Sequence, residues 1–214
     1  LRPTRHIWRK VGKRSGVECP DLKAIPNEEL SKAFWQWVKD NPTVPILITE
    51  GAKKAASLLS AGYVAIGLPG IYSGYRTPKD EYGNRTSELS YLIPELATFC
   101  QKGHEIVFCF DNDNKPTTQD NVRKAITNTG RLIEQQGCQV SVMTWHGTAK
   151  GIDDVIAANG EGTLDHIYAT RQPLEAYRLT EYTDLAPLVS QTVYSRYLGD
   201  DLAIPDNVRL IGTL

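Results

Sequence analysis

The sequence lacks several features that would assign it to a particular protein class. Its four cysteines show no C-x-x-C or other metal-ligand spacing, which argues against a zinc module and favours a reducing, cytoplasmic compartment. No apolar run approaches the ~18 residues that a membrane span needs, and the first residues show no signal-peptide pattern, so we expect no membrane partner. The net charge of −1 gives no sign of a polyanionic partner from bulk charge alone.

The length and composition fit one sizeable core with extensions. The chain has 214 residues, of which 41% are apolar and 23% charged, as in ordinary globular proteins. It starts at Leu1 without an initiating methionine and stops at "RLIGTL" in the middle of a pattern. This predicts a piece of a longer protein.

The charge is unevenly distributed at the N-terminus. Residues 1–16 contain six lysines and arginines and no acid. Two interpretations stay open: a solvated, partly disordered terminus, or an arm that contacts phosphates. In the second, the contacts would come from Arg9, Lys10, Lys13 and Arg14.

Hydrophobic periodicity predicts an α/β fold. Short apolar runs at 44–49, 63–68, 105–110 and 138–145 alternate with helical segments, which indicates a Rossmann-type parallel sheet of about four strands flanked by helices. The irregular stretch 71–88 is predicted to lie outside the sheet. We divide the chain into a basic arm and amphipathic helix (1–42), a catalytic α/β domain (43–165) and a C-terminal extension (166–214). The extension is predicted to contain a Tyr-rich helix around 184–198 and a final strand.

Carboxylates follow three of the four predicted strands. Glu50 ends the first, Asp111 and Asp113 follow the third, and Asp153 and Asp154 come after the fourth. Each has an ordinary structural explanation as a helix cap or a turn residue. Together, however, they would gather at the carboxyl edge of a parallel sheet, where ligands bind. Oxygen ligands at this density suit Mg²⁺ or Mn²⁺.

The order of these motifs resembles the Toprim domain of primases, topoisomerases and nucleases: a Glu after strand one and D-x-D after strand three. More narrowly, "LITEGAKKAASLLSAGYVAIGLPGIYSG", "FDNDNK" and "KGIDDVIA" resemble the Toprim-like domain of cyanobacterial plasmid replication proteins. That resemblance implies metal-dependent nucleotidyl transfer in plasmid DNA replication, most simply primer synthesis. A nuclease, or a non-catalytic module that binds single-stranded DNA or nucleotides, is the alternative.

The resemblance also implies roles for individual residues. Asp111 and Asp113 would bind the divalent metal, Glu50 would be either a further ligand or the general acid/base, and Asp153 or Asp154 would complete the acidic site. The expected partners are single-stranded DNA, nucleoside triphosphates and an NTPase/helicase region of the same full-length protein. Phosphate contacts are expected from three lysines near the site, namely Lys53, Lys54 and Lys150.

Overall fold

The computed structural model describes residues 2–113 and 115–179. A first compact unit extends to Leu174, and residues 175–214 form a second. The predicted helix around 184–198 and the predicted final strand lie outside the described residues.

The elements of the first unit are α1 (Arg5–Ser15), α2 (Leu30–Asp40), β1 (Ile46–Glu50), α3 (Ala52–Ser60), β2 (Val64–Leu68), β3 (Tyr75–Arg76), β4 (Tyr91–Leu92), α4 (Pro94–Ala97), β5 (Glu105–Phe108), α5 (Pro116–Glu134), β6 (Gln139–Val142), α6 (Ile152–Ala169) and β7 (Gln172–Pro173).

The main sheet has five strands in the order β2-β1-β5-β6-β7. The first four run parallel, and β7 pairs antiparallel with β6. The prediction of a mostly parallel α/β sheet flanked by helices is therefore confirmed. The additional edge strand β7 comes from residues that the sequence assigned to the C-terminal extension, as does the end of α6.

The two central strands, β1 and β5, are buried on both faces. Ile46, Leu47 and Ile48 are fully buried in β1, and Ile106 and Phe108 are fully buried in β5. Continuous apolar strands of this kind require helices on both sides of the sheet. Because these strands are held so firmly, the residues that leave their carboxyl ends start from fixed positions.

The N-terminal segment forms the packed helix α1, so the expectation of a solvated, partly disordered terminus is wrong. Thr4 caps the helix by accepting a hydrogen bond from the Ile7 amide at 3.3 Å, as Ser and Thr commonly do. Trp8 is 1% exposed and its ring lies 5.5 Å from Phe34 and 5.7 Å from Trp37 of α2. The burial of this aromatic cluster orders the segment despite its charge.

The stretch 71–88 contributes no strand to the main sheet, as predicted. Its short strand β3 pairs antiparallel with β4 in a separate two-stranded sheet, and an isolated bridge joins Lys79 to Arg85 further out. Asp80 closes the tip by accepting hydrogen bonds from the backbone amides of Tyr82 (3.0 Å) and Asn84 (2.8 Å). The result is an ordered hairpin whose tip carries Tyr82 at 82% exposure.

A partly buried ion pair links β5 to the segment between α6 and β7. Arg171 donates from Nε and Nη2 to the two carboxylate oxygens of Glu105, at 2.6 and 2.9 Å, and the Ser141 hydroxyl also donates to it. Burial alone would raise the pKa of Glu105, but the hydrogen bonds from Arg171 and Ser141 outweigh burial and lower it. This pair ties the last part of the first unit to the sheet.

No helix among the described residues is both long and apolar enough to cross a membrane.

Candidate acidic site at the strand ends

Glu50 and the D-x-D pair leave neighbouring parallel strands on the same side of the sheet. Strand β1 pairs with β5 in the register Ile46↔Ile106 to Ile48↔Phe108, so Glu50 lies level with the residue just before Asp111. Two of the five predicted carboxylates, Glu50 and Asp111, therefore follow adjacent strands at the same edge of the sheet. Asp113 lies two residues beyond Asp111, and its side chain accepts a hydrogen bond from the Lys115 amide at 2.9 Å.

Asn112, between the two aspartates, holds the loop that follows β6. Its backbone amide donates to the Lys150 carbonyl at 2.9 Å, and its side-chain amide donates to the Trp145 carbonyl at 2.6 Å. The Trp145 indole in turn donates to the Ala149 carbonyl at 2.9 Å. Asn112 and Trp145 were not among the predicted site residues, because a loop-anchoring amide has no spacing signature in the sequence. Their bonds bring Lys150 to the acidic edge.

Three lysines neutralise three of the predicted carboxylates. The ammonium of Lys54 lies 3.0 Å from Asp111, with both side chains largely covered (21% and 16% exposed). Lys150 lies 3.1 Å from Asp113, but is itself 60% exposed. The third pair joins Lys53 to Asp153 at 2.9 Å, with the lysine 85% exposed. Each pair bridges two separate elements, so the lysines expected to bind phosphate contact carboxylates instead.

Glu50 and Asp154 are arranged differently from the three paired aspartates. Asp154 accepts a hydrogen bond from the Gly151 amide at 3.3 Å and so caps α6; this is the ordinary structural role for an acid in a first turn. Glu50 is half-buried and has no ion pair or hydrogen bond to its carboxylate among the described residues. It is therefore the carboxylate of this edge that is open to an incoming group.

Asp113 and Asp153 stay ionised at neutral pH, because their pKa values are lowered. The pKa of Asp113 is lowered first by the hydrogen bond from the Lys115 amide and then by Lys150. Burial alone would raise the pKa of Asp153, but Lys53 outweighs it and the pKa falls. The same contacts raise the pKa values of Lys53 and Lys150. Asp113 and Asp153 thus suit electrostatic or ligand roles and not proton donation.

Gly151 allows the two sides of the site to approach each other. A Cβ at this position would lie 2.8 Å from Cε of Lys54 and 2.4 Å from a carboxylate oxygen of Asp153. Real Cβ atoms do not make such short contacts. A side chain at the glycine of "KGIDD" would therefore displace the ends of Lys54 and Asp153 from their present positions.

The donor set fits a divalent cation that is only partly coordinated by protein. Oδ1 of Asp111 and Oδ1 of Asp153 are both buried and accept no well-aligned hydrogen bond, although the former lies near Lys54. Such oxygens have unfilled acceptor capacity. Within residues 2–113 and 115–179, however, no three His, Cys, Asp or Glu side chains are close enough to enclose a metal. A cation held at this edge would therefore have no more than two of these side chains as ligands and would complete its shell with water or phosphate oxygens, as Mg²⁺ commonly does.

Comparison with known proteins places the chain in a family. Residues 34–163 match the family described as "Domain of unknown function (DUF3854)". The chain belongs to this family. It is also 47% identical, over 99% of its length, to an uncharacterized protein of Picosynechococcus sp. (strain PCC 7002), and it spans 20% of the length of that relative.

All five predicted carboxylates lie inside the segment that matches the DUF3854 family, whereas helix α1 precedes it. The four cations predicted to bind phosphate through α1 divide into two pairs. Lys10 contacts Glu161 at 2.6 Å and Arg14 contacts Asp165 at 2.5 Å, so these two bind the protein itself. Arg9 and Lys13 are exposed and form no ion pair with other described residues. They are the cations of α1 that stay available to a partner.

Proposed function

We propose that this domain carries out metal-dependent nucleotidyl transfer on nucleic acid, of the kind that makes primers in plasmid replication. The observation that carries the proposal is the position of Glu50 and Asp111 at the carboxyl ends of adjacent parallel strands. A parallel sheet binds its ligands at this edge. The open carboxylate of Glu50 and the carboxylate of Asp111, whose buried Oδ1 is paired only with Lys54, are the groups that such chemistry needs.

The contacts of each residue suggest a separate role for it in this reaction. Asp111 and Asp113 would hold Mg²⁺ or Mn²⁺, with Asp153 completing the acidic site. When bound, the metal would offset the negative charge that develops on the transferred phosphoryl group. Glu50 would accept the proton of the attacking 3′-hydroxyl or act as a further ligand.

The lysines of the site would exchange their partners when substrate binds. Lys54 and Lys150 neutralise Asp111 and Asp113 in the structure. A cation at those carboxylates makes the two ammonium groups redundant there. They would then be free to contact phosphate oxygens a few ångströms away, as the resemblance implies. Lys53, already mostly exposed, needs the least movement to do so.

Two observations keep a nuclease of the same fold as the second candidate. The same carboxylates would serve phosphodiester hydrolysis, in which water takes the place of the 3′-hydroxyl as nucleophile. Moreover, the exposed cations Arg9 and Lys13 suit the binding of a nucleic acid whether it is extended or cut. The NTPase/helicase region and the origin of the DNA substrate belong to the whole protein and rest on the resemblance alone.

The test is a direct one. The protein is incubated with single-stranded DNA, labelled nucleoside triphosphates and Mg²⁺ or Mn²⁺, and the products are separated on a denaturing gel. Labelled products that lengthen with time support nucleotidyl transfer. Shortened DNA supports the nuclease, and DNA binding without either product supports a non-catalytic module.

Matched variants assign any activity to the site. Asp111→Asn and Asp113→Asn should abolish it, whereas Asp40→Asn should not. Asp40 is an exposed acid at the end of α2, just before β1 begins, and so lies at the opposite end of the sheet. Glu50→Gln should abolish the reaction and keep metal binding if Glu50 moves the proton; loss of both would make it a ligand.

A further inference from the structure

A pocket of about 730 Å³ lies beside the edge strand β2. One part of its lining is formed by residues 65–69 of β2 and the turn after it, and another part by Trp35 and Phe99. Arg76 of β3 and Ser73 contribute polar groups. A volume of several hundred cubic ångströms, an apolar lining and a few polar groups are typical of small-molecule sites.

The β2 wall offers backbone hydrogen-bonding groups. Strand β2 is the last of the sheet on this side, and the Leu68 carbonyl faces β1, where it accepts from the Gly51 amide at 2.8 Å. Since successive residues of a strand alternate in the side to which their N–H and C=O point, Ala65 and Gly67 face outward; of the two, Gly67 is exposed, whereas Ala65 is 1% exposed. No other described residue hydrogen-bonds to them. The pocket therefore has donors and acceptors on one wall.

The other part of the lining offers aromatic surface. Trp35 is half-buried and packs edge-on against Phe99, with ring centroids 5.6 Å apart at an interplanar angle of 70°. The ammonium of Lys39 lies 4.8 Å from the centre of the Phe99 ring, so the aromatic pair is held from behind. A fixed, partly exposed indole is a platform on which a flat ring can stack.

The pocket adjoins the acidic site. Ala52, the first residue of α3, lines it and is two residues from Glu50. Leu68, which also lines it, is the register partner of Glu50 across the two strands. A ligand that fills the pocket would therefore extend naturally toward the start of α3 and toward the exposed ammonium of Lys53.

We propose that this pocket binds the base and sugar of a nucleotide, and that the attached phosphates lie over the start of α3 toward Glu50. A nucleobase matches both walls, because it has a flat apolar face and an edge of alternating donors and acceptors. An extended peptide would use the edge strand but would not need an aromatic platform. This inference rests on the proposed function, for which it supplies the subsite of the incoming nucleotide.

The test separates the base from the phosphates. Binding of adenosine and of cytidine is measured by equilibrium dialysis in EDTA, so that the acidic site and its metal play no part. The protein should show saturable binding of at least one nucleoside. Trp35→Leu should weaken it about tenfold, as expected for the loss of one stacking partner. Tyr82→Leu, the same kind of change at the exposed hairpin tip, should leave it unchanged.

A second variant covers the case in which Trp35→Leu disturbs the fold. Ser73→Phe adds a ring at the lining of the pocket without removing a core side chain and should block binding, with an unchanged circular dichroism spectrum. The proposal is overturned if no nucleoside binds. It is also overturned if the two pocket variants bind like the wild type, or if sedimentation shows a dimer that they dissolve, since a second copy would then be the occupant.

The two proposals fail separately. If nucleosides do not bind but the labelled products still lengthen and depend on Asp111, the nucleotidyl transfer stands and the pocket is wrong. If nucleosides bind and no product forms under any metal, the pocket stands and the catalytic proposal is wrong.

Discussion

Replacing Asp111 by Asn tests what balances the charge of the acidic edge in the absence of metal. If the carboxylates mainly repelled one another, the variant would be more stable than the wild type in EDTA. The structure leads to the opposite expectation. Asp111 lies 3.0 Å from the ammonium of Lys54, which is only 21% exposed, so the substitution leaves a largely covered positive charge without its partner.

The size of the effect follows from the depth of this pair. At 3.0 Å and an effective dielectric constant of ~20, two unit charges attract by about 5–6 kcal/mol before desolvation is counted. Removing one partner of a fully buried pair costs about 3–5 kcal/mol, and of an exposed pair about 0–1 kcal/mol. The Asn carbonyl can still accept a hydrogen bond from Lys54. We therefore expect a loss of about 2 kcal/mol in the free energy of unfolding.

The assay is urea unfolding in EDTA, followed by tryptophan fluorescence. A double-mutant cycle with Lys54→Met isolates the pair, because the double variant should lose less than the sum of the two single variants. Asp40→Asn serves as the control for removing an exposed acid. If Asp111→Asn stabilises the metal-free protein, the ion pair contributes less than the repulsion between carboxylates, and the charge balance drawn from the structure is wrong.

Three further outcomes are expected. In a thermal melt, Mg²⁺ or Mn²⁺ should stabilise the wild type by RT ln(1 + [L]/Kd), about 2.7 kcal/mol at a hundredfold excess over Kd. Asp111→Asn or Asp113→Asn should abolish this stabilisation. A calorimetric titration in which the wild type binds no divalent cation would contradict the metal site. In titrations of single-stranded DNA against salt, Arg9→Gln/Lys13→Gln should reduce the slope by about 0.7 for each phosphate that the variant no longer neutralises; an unchanged slope would exclude these residues from the interface. The pKa of Glu105 is lowered in the folded protein, so its ion pair should stabilise the fold above the ordinary carboxyl pKa, and this stability should be lost as the pH falls through the lowered value. Glu105→Gln should reduce this loss of stability at acid pH. A variant that loses as much stability as the wild type over that pH range would contradict the assignment.

The fold could be predicted because its signals are local and continuous. The apolar runs around Ile48 and Phe108 are too long and too uniform for half-exposed strands, so they indicated a parallel sheet. The predicted amphipathic helix within 1–42 corresponds to α2, whose apolar residues Leu30, Phe34 and Trp37 are buried. By contrast, β7 is only two residues long and depends on pairing with a strand about 30 residues earlier, for which the sequence has no local signal.

The N-terminal helix was missed because charge was given more weight than capping. Thr4 and Gly16 mark the two ends of α1, and Trp8 and Val11 are spaced to share a face. Six cations in sixteen residues suggested a solvated segment instead. The structure shows why both patterns can coexist: Arg14 reaches Asp165, far along the chain, and no local pattern announces such a partner.

The acidic site could also be predicted only in part, because some of its contacts depend on residues that are distant in the sequence. Which elements carry Glu50 and Asp111 follows from strand order, and the sequence predicted it. The lysine partners do not follow, because the contact between Lys150 and Asp113 depends on a loop that Asn112 holds through two long-range hydrogen bonds. That the carboxylates form a cation site stays a prediction; that three lysines neutralise three of them emerged only in three dimensions.

This arrangement makes metal binding and nucleic-acid binding mutually dependent, which gives the last prediction. If a metal at Asp111 and Asp113 releases Lys54 and Lys150 toward phosphates, Mg²⁺ should strengthen the binding of single-stranded DNA. By linkage, DNA should strengthen the binding of Mg²⁺ by the same factor.

The sign of the change in DNA affinity distinguishes this model from simple competition, because Mg²⁺ normally competes with basic proteins for phosphates and weakens their binding. Fluorescence anisotropy with labelled DNA at constant ionic strength should show tighter binding with Mg²⁺ for the wild type. The double variant Asp111→Asn/Asp113→Asn should show only the ordinary weakening, and Asp40→Asn should behave like the wild type. If Mg²⁺ weakens binding equally in all three proteins, the lysines do not exchange partners. The ion pairs at the strand ends would then be structural features of the metal-bound protein too.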